Sequence, residues 1–112
     1  MTSAVPVALP NEPDGTAARF REGFRFMLLA RTLEDKIAAL FHSGKITGGV
    51  YLGRGQEAFS AALALALRPG HDILAPLIRD QAGRMAFGED ILDTARTYLG
   101  SMTHLASSVA AG

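Results

Sequence analysis

The sequence contains no cysteine and no tryptophan, and its formal net charge is zero. Without cysteine, the chain has no disulfide framework, no thiolate metal site and no thiol nucleophile. Eleven Lys and Arg residues balance eleven Asp and Glu residues. The composition therefore provides neither the basic field of non-specific nucleic-acid binding nor a polybasic patch for a membrane surface. We expect neither nucleic acid nor a membrane as a partner.

Long apolar runs and targeting signals are also missing. The longest apolar run, residues 61–67, is far shorter than the roughly 20 residues that span a bilayer. Residues 1–15 have no early positive charge and no continuous apolar core, so they do not resemble a secretory signal. Their three prolines, Pro6, Pro10 and Pro13, predict a flexible, extended N-terminal arm. A cytoplasmic location is the default expectation.

What the sequence does contain is enough apolar material for one domain with a core. Of its 112 residues, 48% are hydrophobic, which excludes an intrinsically disordered chain. Apolar residues at spacings of three, four and seven predict a long amphipathic helix over 16–42, which Gly44 ends. A second helix is expected over 56–67, and because it is apolar on nearly all sides it should be buried.

The remaining elements are short. Glycine density predicts a sharply turning loop between residues 44 and 55. The apolar segment near 72–78 suits a buried strand because it is too short for a helix. Two short helices are expected over 80–87 and 90–98, with Asp90 favourably placed at the first turn of the second. Residues 16–99 would form the domain, and the tail 100–112 remains unassigned.

Several common catalytic patterns are missing. No Gly-x-Ser-x-Gly elbow, Walker loop or Gly-x-Gly-x-x-Gly fingerprint occurs, so a serine hydrolase and simple nucleotide-binding folds have no support. The three histidines, His42, His71 and His104, lack the spacing of a local metal site. A structural turn is therefore the simpler interpretation of the glycine-rich loop taken by itself.

Two local features allow either a structural or a functional interpretation. Gln56 and Glu57 open an apolar helix, where Glu57 either only complements the helix dipole or presents a polar group to a buried site. Arg79 follows the expected strand, where ligands of open α/β sheets gather. Its guanidinium suits a phosphate or carboxylate, although a surface ion pair with Asp72 or Asp80 is the alternative.

These pieces occur in an order that resembles a known family. The helix segment RFMLLARTLEDKIAALFHSGKI precedes a glycine-rich loop leading into GQEA, and an apolar segment then ends in Arg79-Asp80. Over residues 20–99 the chain resembles the N-terminal part of the alpha subunit of the thiamine-diphosphate-dependent dehydrogenase component of 2-oxo acid dehydrogenase complexes, of the pyruvate and branched-chain type. The resemblance implies an α/β thiamine-diphosphate-binding fold, although this chain is expected to be mostly helical with one short strand.

The resemblance also implies roles for individual residues. In the family, an aromatic-arginine pair contacts the cofactor diphosphate; here the pair is Ile78-Arg79, so the tyrosine hydroxyl is missing. Tyr51 stands where pyruvate-type enzymes tend to carry an active-site histidine, and is expected to line the substrate side. Gln56 and Glu57 would organise the start of the helix beside the cofactor.

The implied activity is oxidative decarboxylation of pyruvate or a related 2-oxo acid, followed by acyl transfer to a lipoyl group. Thiamine diphosphate and Mg²⁺ would be the cofactors, and a beta subunit and a lipoyl-bearing acyltransferase component the partners. The Gly-Asp-Gly part of the family's cofactor motif does not occur in the sequence. We therefore expect the chain to be the first part of a longer protein, inactive and unable to bind the cofactor alone. The alternative is a non-enzymatic helical interaction module or an inactive truncated homologue.

Overall fold

The described part of the chain forms a small arrangement of four helices. The computed structural model describes residues 13–100, and their side chains from residue 15 onward. The helices are α1 (Pro13–His42), α2 (Glu57–Leu65), α3 (Gln81–Ala86) and α4 (Ile91–Leu99). The described residues therefore confirm the mostly helical prediction, while the flexible arm and the unassigned tail lie largely outside them.

The helix ends follow the local sequence. Gly44 has a φ of 79° just beyond α1, in the left-handed region that glycine adopts without steric cost. Asp90 caps α4, because its Oδ1 accepts a hydrogen bond from the backbone N–H of Leu92 at 3.0 Å. Both outcomes match the sequence-based expectation.

In the described residues, the core consists of two small clusters that follow one another along the C-terminal half of α1. In the first, Ala30 packs with Ala61 of α2 and with Ala82 and Met85 of α3. In the second, Leu33 and Ile37 pack with Ile46 of the following loop. Small residues at the first contact allow α2 and α3 to approach α1 closely, and this approach brings the 53–56 and 77–80 segments together beside α1.

The prediction of a buried strand near 72–78 is wrong. Within residues 13–100 no strand occurs, and Ile73 and Leu77 are 90% and 75% exposed. A strand requires a neighbour to satisfy its backbone groups, and none lies beside this segment. Its ends are instead held by turns, in which Asp72 accepts from the N–H of Arg68 and Asp80 accepts from the N–H of Leu77.

The expectation that the second helix is buried is only partly met. α2 buries Glu57, Ser60, Ala61 and Ala64, but its largest apolar side chain, Phe59, is 71% exposed. The helix is also shorter than the 56–67 prediction. Among the residues described, no helix is both long enough and apolar enough to cross a membrane.

Candidate functional site

The structure brings Tyr51 and Arg79 together at the surface. The guanidinium carbon of Arg79 lies 5.6 Å from the centre of the Tyr51 ring, within the range of a cation–π interaction. Within the described part of the chain, Arg79 makes no ion pair with Asp72, which pairs with Arg68, or with Asp80. The surface ion pair considered for Arg79 is therefore absent there, and its donors face solvent.

The backbone around Arg79 is held from two sides. The side-chain amide of Gln56 donates to the carbonyl oxygen of Arg79 at 3.2 Å and to Oδ1 of Asp80 at 3.3 Å. Gly53 packs directly against the same Arg79 carbonyl, so that a Cβ at Gly53 would overlap it. Gly53 thus has a steric reason to be glycine, and Gln56 ties the start of α2 to the turn that carries Arg79.

Glu57 organises the start of α2. Its Oε2 accepts from Nε of Arg31 at 2.6 Å, and its Oε1 accepts from the backbone N–H of Gly55 at 2.8 Å. The hydrogen bond from Arg31 is the main reason why the pKa of Glu57 lies below its ordinary value. Glu57 is thus a buried structural anchor of the loop that leads into α2.

Sequence reasoning missed a second buried carboxyl group, Glu34 of α1. The backbone N–H of Gly53 donates to Oε2 of Glu34 at 2.7 Å. Burial raises the pKa of Glu34 above its ordinary value. The signal was its spacing, because Glu34 is four residues after Ala30 and three before Ile37, and both of these face the core.

Ile78 adjoins a separate cavity of about 380 Å³. A chain of polar contacts borders it: Nη2 of Arg84 donates to Gln81, Nε2 of Gln81 donates to Thr94, and the Thr94 hydroxyl donates to Glu89 at 2.6 Å. These hydrogen bonds link the four side chains, whereas the buried Nε of Arg84 has no hydrogen-bond partner and lies 4.0 Å from Oε2 of Glu89. Gln81 therefore acts as a link between α3 and α4.

The described residues fit the diphosphate of the implied cofactor, but they do not fit its metal ion. The guanidinium of Arg79, exposed and unpaired in the described structure, presents the donors that a phosphate accepts. Within residues 13–100 no group of three His, Asp or Glu side chains is arranged to hold a metal ion. The described residues thus fit contact with a diphosphate and contribute no Mg²⁺ ligand set.

Among the comparisons with known proteins, the search of curated proteins found a partial match. The chain is 36% identical over 69 residues to the pyruvate dehydrogenase E1 component subunit alpha of Zymomonas mobilis. This match covers 62% of the chain but only 20% of that relative's length. No protein-family model matches the chain, and no solved structure matches it significantly. The chain is therefore similar to one part of a pyruvate dehydrogenase alpha subunit.

Proposed function

We propose that this chain forms the N-terminal part of the alpha subunit of a thiamine-diphosphate-dependent 2-oxo acid dehydrogenase. The observation that carries the proposal is the exposed guanidinium of Arg79, which stacks on Tyr51 and has no ion-pair partner in the described structure. The partial similarity to a pyruvate dehydrogenase alpha subunit supports it. The substrate would be pyruvate or a related 2-oxo acid.

Each residue of the site would contribute binding or orientation. When bound, thiamine diphosphate supplies the carbanion stabilisation that decarboxylation of a 2-oxo acid requires. Arg79 would donate two hydrogen bonds to the diphosphate, and the Tyr51 ring would hold the guanidinium and line the substrate side. Ile78 would provide an apolar contact beside it. Gln56 would fix the carbonyl of Arg79, and Glu57 would fix the start of α2.

The proposal also includes partner chains. Thiamine-diphosphate dehydrogenases of the resembled kind place the cofactor between alpha and beta subunits, so a beta subunit would complete the site. A lipoyl-bearing acyltransferase component would accept the acyl group. We assign no Mg²⁺ contact to the described residues, because they contain no suitable ligand group.

Substitution of Arg79 tests the proposal. In the complete subunit assembled with its beta partner, Arg79→Ala should weaken thiamine diphosphate binding by about ten- to a hundred-fold, because a charge-assisted contact is lost. Arg79→Lys should restore only part of the affinity, since an ammonium cannot form the bidentate contact. Calorimetric titration measures both values.

Arg21→Ala is the matched control, because Arg21 is an exposed arginine on α1. It should leave cofactor affinity unchanged. Affinities of Arg79→Ala and Arg79→Lys within about twofold of the wild type, as a surface arginine of little energetic importance would give, would remove Arg79 from the site.

A further inference from the structure

Glu34 is a buried acid with an incomplete set of hydrogen bonds. Only 3% of the surface of Glu34 is exposed to solvent. Oε2 accepts from the backbone N–H of Gly53 at 2.7 Å, whereas Oε1 is buried without a hydrogen-bond partner. Removing a carboxylate from water is unfavourable, and a single hydrogen bond offsets only part of this desolvation cost. The neutral form is therefore favoured at this position more than at the surface.

The charges around Glu34 do not relieve this cost. Arg31, on the same helix, is hydrogen-bonded to Glu57, and Arg54, in the adjoining loop, forms its ion pair with Asp35. Neither arginine donates a hydrogen bond to Glu34. Glu57, at the start of α2, repels a negative charge on Glu34, while the two arginines attract it weakly from their own pairs. The hydrogen bond from the Gly53 N–H favours the ionised form, but burial outweighs it and the two arginines, so the pKa of Glu34 is raised.

Glu34 is connected to Arg79 by direct packing. The amide that Glu34 binds belongs to Gly53, and Gly53 packs against the carbonyl oxygen of Arg79. The side chain of Gln56 holds the same carbonyl at 3.2 Å. A displacement of the Gly53 backbone therefore acts on the backbone of Arg79 without an intervening flexible side chain.

We propose that Glu34 is a positioning residue for Arg79, and that ionisation of its carboxyl group shifts the turn at Gly53 and changes the orientation of the Arg79 guanidinium. The proposal rests on the function proposed above for the role it gives to Arg79. The neutral acid accepts the Gly53 hydrogen bond without placing a negative charge at the partnerless Oε1. The ionised acid requires water at Oε1, and admitting water separates α1 from the Gly53–Arg79 contact. Diphosphate binding would consequently depend on the ionisation of a group that does not touch the ligand.

The first arm of the test follows pH in the full 112-residue chain by nuclear magnetic resonance. The Glu34 carboxyl should titrate above the ordinary range of a glutamate, and the backbone amides of Gly53 and Arg79 should shift with the Glu34 midpoint. Glu34→Gln keeps an oxygen acceptor for Gly53 and should abolish this shift at both amides, whereas Glu22→Gln should preserve it. If Glu34→Gln does not fold, the wild-type chain still tests the proposal, because the amide shifts of Gly53 and Arg79 should have the same midpoint as the Glu34 carboxyl.

The second arm measures thiamine diphosphate affinity between about pH 5 and pH 8 in the assembled enzyme. The ligand itself titrates in this range, so the affinity of the wild type is compared with that of Glu34→Gln at each pH, and the effect of the ligand's titration cancels. The wild type should lose more affinity with rising pH than Glu34→Gln. If the amides of Gly53 and Arg79 do not shift as Glu34 titrates, the positioning role is wrong, even if Arg79→Ala weakens binding. If no variant binds the cofactor, the proposed function fails, and the amide shifts alone decide whether Glu34 positions Arg79.

Discussion

At the scale of single residues, two glutamates hold the same turn under opposite electrostatic conditions. Glu34 binds the amide of Gly53 from α1, and Glu57 binds the amide of Gly55 from the start of α2. Burial dominates at Glu34 and raises its pKa, whereas Arg31 dominates at Glu57 and lowers its pKa. Two residues of one type therefore change the stability of the fold in opposite directions as pH changes.

For Glu57, the lowered pKa gives a prediction with a definite sign. Its stabilising contribution is complete above its unfolded pKa of about 4.3 and is lost as pH falls through the folded value. Glu57→Gln should therefore lower the free energy of unfolding by about 1–3 kcal/mol at pH 7, because the charge-assisted bond from Arg31 is lost. The loss should shrink towards pH 3. Urea unfolding at both pH values measures it.

Glu22→Gln serves as the control for Glu57→Gln, because Glu22 is exposed on α1. It should change the free energy of unfolding by no more than about 0.5 kcal/mol at either pH. A destabilisation by Glu57→Gln that is the same at pH 7 and pH 3 would show that the ion pair with Arg31 does not stabilise the fold.

The sequence indicates the exposed residues of the candidate site, but not the buried residue that holds the adjoining turn. Position and resemblance indicate Arg79 and Tyr51, and the structure places them in contact; their roles remain predictions. Glu34 is not among the residues predicted for the site, although its spacing from Ala30 and Ile37 places it near the core side of α1. Periodicity alone does not separate a charged residue at the edge of an apolar stripe from one beneath a loop, because burial there depends on where the Gly53 turn packs.

At the scale of elements, the helices were predictable and the strand was not. Helix ends depend on local signals, such as the Asp90 cap and the left-handed Gly44, which the sequence displays directly. A strand depends on a partner elsewhere in the chain. The apolar segment near 72–78 satisfies the local criterion for a strand, but with no neighbouring strand in the described structure it is irregular, with turns only at its ends.

Helix contacts give a prediction for a pair of glycines. A Cβ at Gly83 of α3 would lie 2.7 Å from Oγ and 2.9 Å from the carbonyl oxygen of Ser60 in α2. Because a backbone atom is among these neighbours, Gly83→Ala should separate the helices and lower the free energy of unfolding by about 1–3 kcal/mol. Thermal and urea denaturation measure the change.

Gly23 provides the matched comparison inside α1. A Cβ there would lie 3.8 Å from Cδ1 of Leu65, which is an ordinary contact. Gly23→Ala should therefore stabilise the helix by roughly 0.5–1 kcal/mol, since alanine is the better helix former. If both substitutions stabilise the protein, the close approach of α2 and α3 at Ser60 does not constrain the fold.

At the scale of the whole molecule, the described chain leaves much apolar surface uncovered. Phe20, Phe24 and Leu28 are half exposed or more along one side of α1. On α2, Phe59 is 71% exposed and Leu63 is nearly half exposed. Such a surface suits a helical interaction module, but also a chain that spans only 20% of the length of the relative it matches. The interaction module is not better supported than the dehydrogenase.

The most direct test of the central claim is a structure of the complete subunit, assembled with its beta partner, with thiamine diphosphate and Mg²⁺ bound. We predict that the Arg79 guanidinium lies within about 2.7–3.2 Å of a diphosphate oxygen, the range of a hydrogen bond, with the Tyr51 ring still beside it. A diphosphate bound elsewhere, with Arg79 exposed to solvent or paired with a carboxylate, would contradict the claim.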